Sequence, residues 1–321
     1  MLSLDHIPIL ILALAIDALV GDPNWIYRKI PHPVAIMGFL ISKLDLFLNI
    51  PSWSYLSRKL LGVLALFINL SLAGGIGWLI QRAIQHIEFG WLFESFIIAI
   101  FLAQNSLYKH VHNVAKTLSV NGLASARISV SHIVGRDSSD LNEAGICRAT
   151  IESLSENFSD GIIAPVFWYL MAGLPGILIY KALNTADSMI GHLNERYEAF
   201  GWASARLDDA ANFIPARLTA ITICLTAIIF PKTSGLKAIA AGFKDAKQHR
   251  SVNAGWPEAT MAGALDIRIA GPRVYDGVVT EDPWMGNGNS NVSPADIYRA
   301  LLLYCRANIL SSLCLGALML I

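Results

Sequence analysis

Charge is what this chain has least of. Only 15% of its 321 residues are Asp, Glu, Lys or Arg, while 54% are hydrophobic; ordinary soluble domains carry about 25% charged residues. The 24 basic and 24 acidic residues cancel, so no net field is available to hold nucleic acid. Cysteine is scarce as well. Cys147, Cys224, Cys305 and Cys314 show no C-x-x-C or other metal spacing, and buried thiols are their reading. No Lys or Arg precedes the first apolar run and Asp17 interrupts it, which is unlike a cleaved signal peptide. There is no G-x-x-x-x-G-K-[ST] run, no dinucleotide fingerprint after a strand, no H-E-x-x-H and no Ser/His/Asp nucleophile pattern. The GNGNSN run at 286–291 reads as a flexible loop. Repeats and low-complexity tracts are absent too.

What is present is apolar sequence in long runs, and mean hydropathy is +0.50. The expected fold is an all-α, polytopic helical integral membrane protein, with residues 1–321 forming one membrane-embedded domain. Spans are expected near 7–21, 60–80, 89–108, 161–180, 214–230 and 301–321. Polar connections fall at 109–160, 181–213 and 231–300. The run 34–50, broken by Lys43 and Asp45, reads as an amphipathic helix on the membrane surface. Glu94 lies inside the second clear span, and an ionisable residue at that depth faces protein or a cavity. Pro165 and the AGLPG turn at 172–176 divide the run 161–180, which favours a re-entrant or broken pair over a plain crossing. Basic residues at 28–59 and 109–136 place those connections on the cytoplasmic side. The same rule leaves the topology after residue 160 open, because Lys232, Lys237, Lys244, Lys247 and Arg250 follow the run 214–230.

Three consecutive segments carry polar stripes. In 147–165, Cys147, Ile151, Leu154 and Phe158 share one helical side, while Arg148, Glu152, Glu156 and Asp160 step along another at i, i+4. Like charges at that spacing repel, so a cation or a cationic ligand is expected there. In 180–197, Lys181, Asn184, Thr185, Ser188, His192 and Glu195 line one side with Asp187 beside them. Next comes 200–220, with Arg206, Asp208, Asp209, Asn212 and Arg217. Such an inventory suits carboxylates on Mg²⁺ with Lys or Arg on phosphate oxygens. It suits proton-coupled or cation transport almost as well.

A longer pattern goes further. The blocks GDP…HPV…MG (21–38), VGRD (134–137), RATIESLSENFSDGIIAPVFWY (148–169), YKALNTADSMIGHLNERYEAFGWASARLDDAANFIPARLTA (180–220) and NAGWPEATMAGAL (253–265) occur in order. In them the chain resembles the adenosylcobinamide-phosphate synthase family, the membrane-bound CobD/CbiB proteins of cobalamin biosynthesis. It departs from the family pattern at Val252 and at His192.

The resemblance implies an ATP-dependent, acid–amine ligase reaction at the cell (inner) membrane, with the active site facing the cytoplasm. Adenosylcobyric acid would be joined to (R)-1-aminopropan-2-ol or its O-phosphate, giving adenosylcobinamide or its phosphate. ATP and Mg²⁺ are the implied cofactors, and the corrinoid, the amino-alcohol and the lipid bilayer the partners. A homo-oligomer, or association with other corrinoid-assembly enzymes, stays open. The expected catalytic residues are Glu152, Glu156, Lys181, Asp187 and Asp208, and the expected metal ligands Glu156, Asp160 and Asp209. Arg136, Arg148, Asn157, Asn184, Ser188, Arg196, Tyr197, Asn212, Arg217, Asn253 and Gly255 are expected to contact substrate or ATP. The rival reading is a membrane transporter for a corrinoid or cation using the same buried acids.

Overall fold

The structure is a computed structural model and describes residues 6–135, 138–275, 278–280 and 282–320. Its helices are α1 (His6–Leu19), α2 (Asn24–Tyr27), α3 (Pro33–Leu48), α4 (Tyr55–Ile84), α5 (Gly90–Phe101), α6 (Gln104–Asn121) and α7 (Leu123–Ser131). They continue with α8 (Glu143–Phe158), α9 (Ala164–Ile190), α10 (Trp202–Ile229), α11 (Gly235–Asp245), α12 (Gly255–Leu265) and α13 (Pro294–Ala317). Between α12 and α13 lie two short antiparallel pairings. One joins β1 (Ile269–Ala270) to β4 (Trp284–Met285), and the other joins β2 (Arg273–Tyr275) to β3 (Val278–Thr280).

Among the described residues five helical stretches are long and apolar enough to cross a membrane: Tyr55–Ile84, Gly90–Asn121, Glu143–Ile190, Trp202–Ile229 and Pro294–Ala317. The protein is a polytopic all-α membrane protein. α4 shows why. Besides Leu66 and Ile84 its buried residues are small or polar (Gly62, Ala65, Asn69, Ala73 and Gly77), whereas Leu60, Phe67, Ile76, Trp78 and Leu79 are exposed. A soluble helix does the reverse, and a lipid-embedded helix gains from letting backbones approach through small residues.

Two compact units divide the chain. The first holds residues up to Ala103, Ala164–Asn212 and the last few residues. There α4 lies along α9, α3 packs on both, and α1 and α5 pair and both touch α9. The approach is close: a Cβ on Gly77 would stand 2.8 Å from Pro175 Cα, and one on Gly62 only 1.9 Å from the Phe200 carbonyl oxygen. Asn69 adds a buried hydrogen bond from Nδ2 to the Ala182 carbonyl at 3.1 Å. Glu94 is buried, and the Tyr169 hydroxyl donates to it at 2.9 Å, so this acid faces protein. The second unit holds Gln104–Ile163 and Phe213–Ala317. Here α6, α7, α8 and α13 pack together, and α11 pairs with α12.

Several expected boundaries move. The apolar run 89–108 parts at Leu102 and Ala103 into α5 and α6. The striped helix expected over 180–197 ends at Ile190, and the polar stretch 181–213 is helical again from Trp202. Likewise 109–160 carries most of α6 with α7 and α8, and 231–300 carries α11, α12 and the start of α13. A polar stripe lowers a helix's mean hydropathy without ending its hydrogen-bond ladder. The break in 161–180 is real. Ser159–Ile163 forms a π-helical turn ahead of Pro165, and α9 loses helical geometry at Ala172 and Gly173, where Gly173 takes φ +64. Of the cysteines Cys147 is buried, Cys224 and Cys305 are half-buried, and Cys314 is exposed, so the buried reading holds fully only for the first.

Candidate active site on α9 and α10

The second half of α9 buries Ala182, Leu183, Ala186 and Ile190, and this phase leaves Lys181, Asn184 and Asp187 half-buried and Ser188 exposed. The start of α10 faces the same neighbourhood with Asp208, buried, and Asn212, 1% exposed. A chain of polar groups joins the two helices. The Tyr180 hydroxyl donates to Asn212 Oδ1 at 2.9 Å, and Asn212 Nδ2 donates to Asp208 Oδ2 at 2.9 Å. Asn184 Nδ2 reaches Asp208 Oδ1 at 3.5 Å. Each Asp208 oxygen thus accepts from a different amide, one per helix. Asp187 and Asp209 lie close enough for their charges to act on Asp208. Trp168 Nε1 closes the buried side, donating to the Ala211 carbonyl at 3.2 Å. The Ser188 hydroxyl donates to the Asn184 carbonyl one turn back, at 2.9 Å. Behind the polar face is a small apolar cavity lined by Ile41, Leu66, Ala186, Ile190 and Phe200 among others.

Arg196 and Tyr197 sit together, but on a third acid. Asp45 on α3, 7% exposed, accepts from Arg196 Nη2 at 2.6 Å, Tyr197 hydroxyl at 3.2 Å and Asn49 Nδ2 at 2.8 Å. Arg58 donates to Asn49 Oδ1 at 2.9 Å and to the Arg196 carbonyl. Residues 191–201 are thereby tied to α3 and α4. The hydrogen bond and charge of Asp45 hold the Arg196 guanidinium above its ordinary pKa. Burial, then the Asp45 charge, push the Tyr197 phenol up. Arg196, read from the sequence as an anion contact, has a carboxylate of its own.

The remaining candidates belong to the second unit. Arg148 Nη1 donates to the Ser290 carbonyl at 2.9 Å, and the guanidinium stacks over Trp284. Glu152, one turn on and buried, accepts the Ala270 amide through Oε1 at 2.9 Å. Both side chains of the α8 stripe therefore grip backbone between α12 and α13. Glu156 and Asn157 are exposed and Asp160 is half-buried; Asn157 Nδ2 donates to the Ser153 carbonyl at 2.9 Å. Arg217 donates to Asn253 Oδ1 at 2.7 Å, to the Phe213 carbonyl at 2.9 Å and to the Val252 carbonyl at 3.2 Å. Gly255 fits against the Ala246 carbonyl oxygen, 2.4 Å from where a Cβ would be. These three staple the turn before α12. Arg136 lies outside the described residues, as does Asp137.

GNGNSN is a correction. Read as a flexible loop, it is bonded along its length. Gly286 N–H donates to the buried Asp245 carboxylate at 2.9 Å, the Asn289 amide to the Asp266 carbonyl at 3.3 Å, and Arg148 holds Ser290. A glycine-rich composition signals access to unusual backbone angles, and Gly286 uses one (φ +80).

The sequence reading missed Tyr180 and Asp45. Tyr180 stands four residues before Asn184, an i, i+4 signal that points the same way as the stripe. Asp45 was visible only as an interruption in an apolar run. Among the described residues no three His, Cys, Asp or Glu side chains converge as a metal site. Mg²⁺ characteristically takes one or two carboxylates and completes its shell with phosphate oxygens and water. The Asp187, Asp208 and Asp209 neighbourhood, where the first and last act by charge on the second, offers carboxylates of that kind.

A family model described as CobD/Cbib protein matches residues 10–304. A cobalamin biosynthesis protein CobD of Sinorhizobium sp is 49% identical over 292 residues, 90% of each chain. One of Rhizobium meliloti (strain 1021) is 45% identical, covering 95% of this chain and 94% of its own. The Rhodobacter capsulatus protein of that name is also 45% identical, covering 93% and 92%. No solved structure matches. With the polar chain between α9 and α10 set inside the stretch this model covers, the protein belongs to the CobD/Cbib family.

Proposed function

We propose that the protein acts in cobalamin biosynthesis as an adenosylcobinamide-phosphate synthase, working at the cell membrane with its site open to the cytoplasm. The observation that carries this reading is the buried, doubly hydrogen-bonded Asp208 beside Asp187 and Asn184, with Lys181 one turn before Asn184 on α9, in a chain whose relatives are named cobalamin biosynthesis proteins. A carboxylate is a poor acyl electrophile. Transfer of the γ-phosphoryl group of ATP to the carboxylate of adenosylcobyric acid releases ADP and leaves an acyl phosphate. Attack of the amine nitrogen on that carbon forms the C–N bond and expels inorganic phosphate, while the nitrogen gives up a proton.

Each step asks for a group this cluster holds. Lys181 supplies a point charge for phosphate oxygens. Asp208, held by Asn184 and Asn212, docks the ammonium and takes its proton; a positioned base contributes about 10²–10⁴ in rate. Asn184 and Asn212 fix the direction of the carboxylate rather than touch substrate. Asp187 and Asp209 would hold Mg²⁺, which when bound offsets the negative charge gathered on the phosphates.

Detergent-solubilised protein given adenosylcobyric acid, ATP and amine is expected to yield the amide, read by mass spectrometry, with ADP release that depends on the amine. Asp187→Ala and Asp208→Ala should each abolish product while insertion persists. Amine-independent ADP release, or corrinoid uptake into proteoliposomes without amide, would favour a transporter and sink the proposal.

A further inference from the structure

α11 is built inside out. Gly235, Ala238, Ala241 and Gly242 are buried, and α12 is so near that a Cβ on Gly242 would stand 2.9 Å from Thr260 Cγ2. A Cβ on Gly263 would stand 2.4 Å from the Lys237 carbonyl oxygen. The large apolar residues point away: Leu236 is 82% exposed and Phe243 71%, with Ile239 between them at 37%. At 100° per residue these three fall in a sector of about 60° opposite the buried face. A helix in water places its bulky side chains inward. The medium outside this face is therefore apolar.

Length and charge decide what that medium is. Eleven residues rise only about 16 Å, half of a bilayer core, so α11 does not cross. Along one edge of the stripe stand Lys237, ion-paired with Asp266 at 2.6 Å, and Lys244, 3.9 Å from the buried Asp245 carboxylate, with side chains 57% and 63% exposed; Lys247 follows on the next turn, exposed. Lysine stems lie along apolar surface while their ammonium groups stay in the polar layer. The membrane is already adjacent in the chain. α10 ends with Ile228 and Ile229 exposed at 59% and 58%, six residues before α11 begins. Trp256 meets Phe243 edge-on at 6.2 Å, adding an indole of the type enriched at membrane interfaces.

We infer that α11 lies in the plane of the bilayer surface, with Leu236, Ile239 and Phe243 below the headgroups and Lys244 and Lys247 on anionic headgroups. This is a membrane contact in addition to the five spanning stretches.

The test uses the full chain with its four cysteines replaced and single nitroxides at 236, 237, 239, 243 and 244, reconstituted in phosphatidylcholine vesicles with or without phosphatidylglycerol. Labels at 236, 239 and 243 are expected to meet oxygen more than a water-soluble nickel chelate, and those at 237 and 244 the reverse. That alternation also reports that the helix is intact. Nickel access at 236, 239 and 243 would show a face bare to water and overturn the inference. Shielding from both reagents would show a protein partner, a second copy included, and overturn it equally. In phosphatidylglycerol vesicles, Lys244→Glu with Lys247→Glu should shift the label at 239 toward the aqueous reagent. No shift would overturn the assignment of the lysines to anionic headgroups.

Discussion

Tyr180→Phe removes a single oxygen from a position 1% exposed, and leaves the packing volume nearly unchanged. What it orphans is Asn212 Oδ1, equally buried, which loses its donor at 2.9 Å. An unsatisfied buried acceptor costs about 1–3 kcal/mol. The amide then gains by turning toward another donor, and turning withdraws Nδ2 from Asp208. At about 1.4 kcal/mol per tenfold, kcat/KM for amide formation should fall between about fivefold and a hundredfold. Asn212→Ala removes both bonds at once and should cost at least as much, since a hydrogen bond to a carboxylate is worth about 1.5–3 kcal/mol. The double variant decides whether the three residues act together. With Asn212 gone, the hydroxyl of Tyr180 no longer acts on Asp208 through that amide, so adding Tyr180→Phe should lower kcat/KM little further, with a coupling of about 1 kcal/mol or more. The assay is initial rates by product mass spectrometry, paired with thermal unfolding in detergent to separate activity from folding. Additive effects within about 0.5 kcal/mol, or a Tyr180→Phe enzyme with wild-type kcat/KM, would refute the relay.

Two further outcomes follow from the hydrogen bonds. Glu152→Gln keeps an oxygen for the Ala270 amide, so it should retain most product formation where Glu152→Ala does not; equal loss in both would mark Glu152 as a charged site residue instead. Tyr197 has its phenol raised by burial and by Asp45, so its contribution to the fold is complete below the ordinary phenol value of about 10 and fades as pH rises through the higher folded value. Limited proteolysis at 192–195 should therefore become easier in strongly alkaline buffer, and Tyr197→Phe should remove that pH dependence; an unchanged profile in the variant would contradict it.

How far the sequence reaches can be followed residue by residue. The apolar side of α8 was legible: Cys147, Ile151, Leu154 and Phe158 are all fully buried, as a 3.6-residue period requires. Depth and charge together placed Glu94 against protein, and Pro165 with AGLPG marked the two places where the helix fails. What period cannot say is which partner a polar stripe meets. Arg148, Glu152 and Arg217 read as ligand contacts, yet each holds backbone atoms of a distant segment, and backbone offers the same acceptors whatever the sequence. Arg196 shows the same limit. Its partner Asp45 lies 151 residues away, beyond any local pattern.

The contact between Gly62 and the Phe200 carbonyl carries a consequence for how this molecule can change over generations. No side chain, however small, has an approach to position 62 while residues 199–201 keep their course. Drift in α4 and in the entry to α10 is thus coupled, since neither can wander alone. A saturation library at this codon should return a single amino acid, and second-site suppressors of any other choice should gather around Ala199, Phe200 and Gly201.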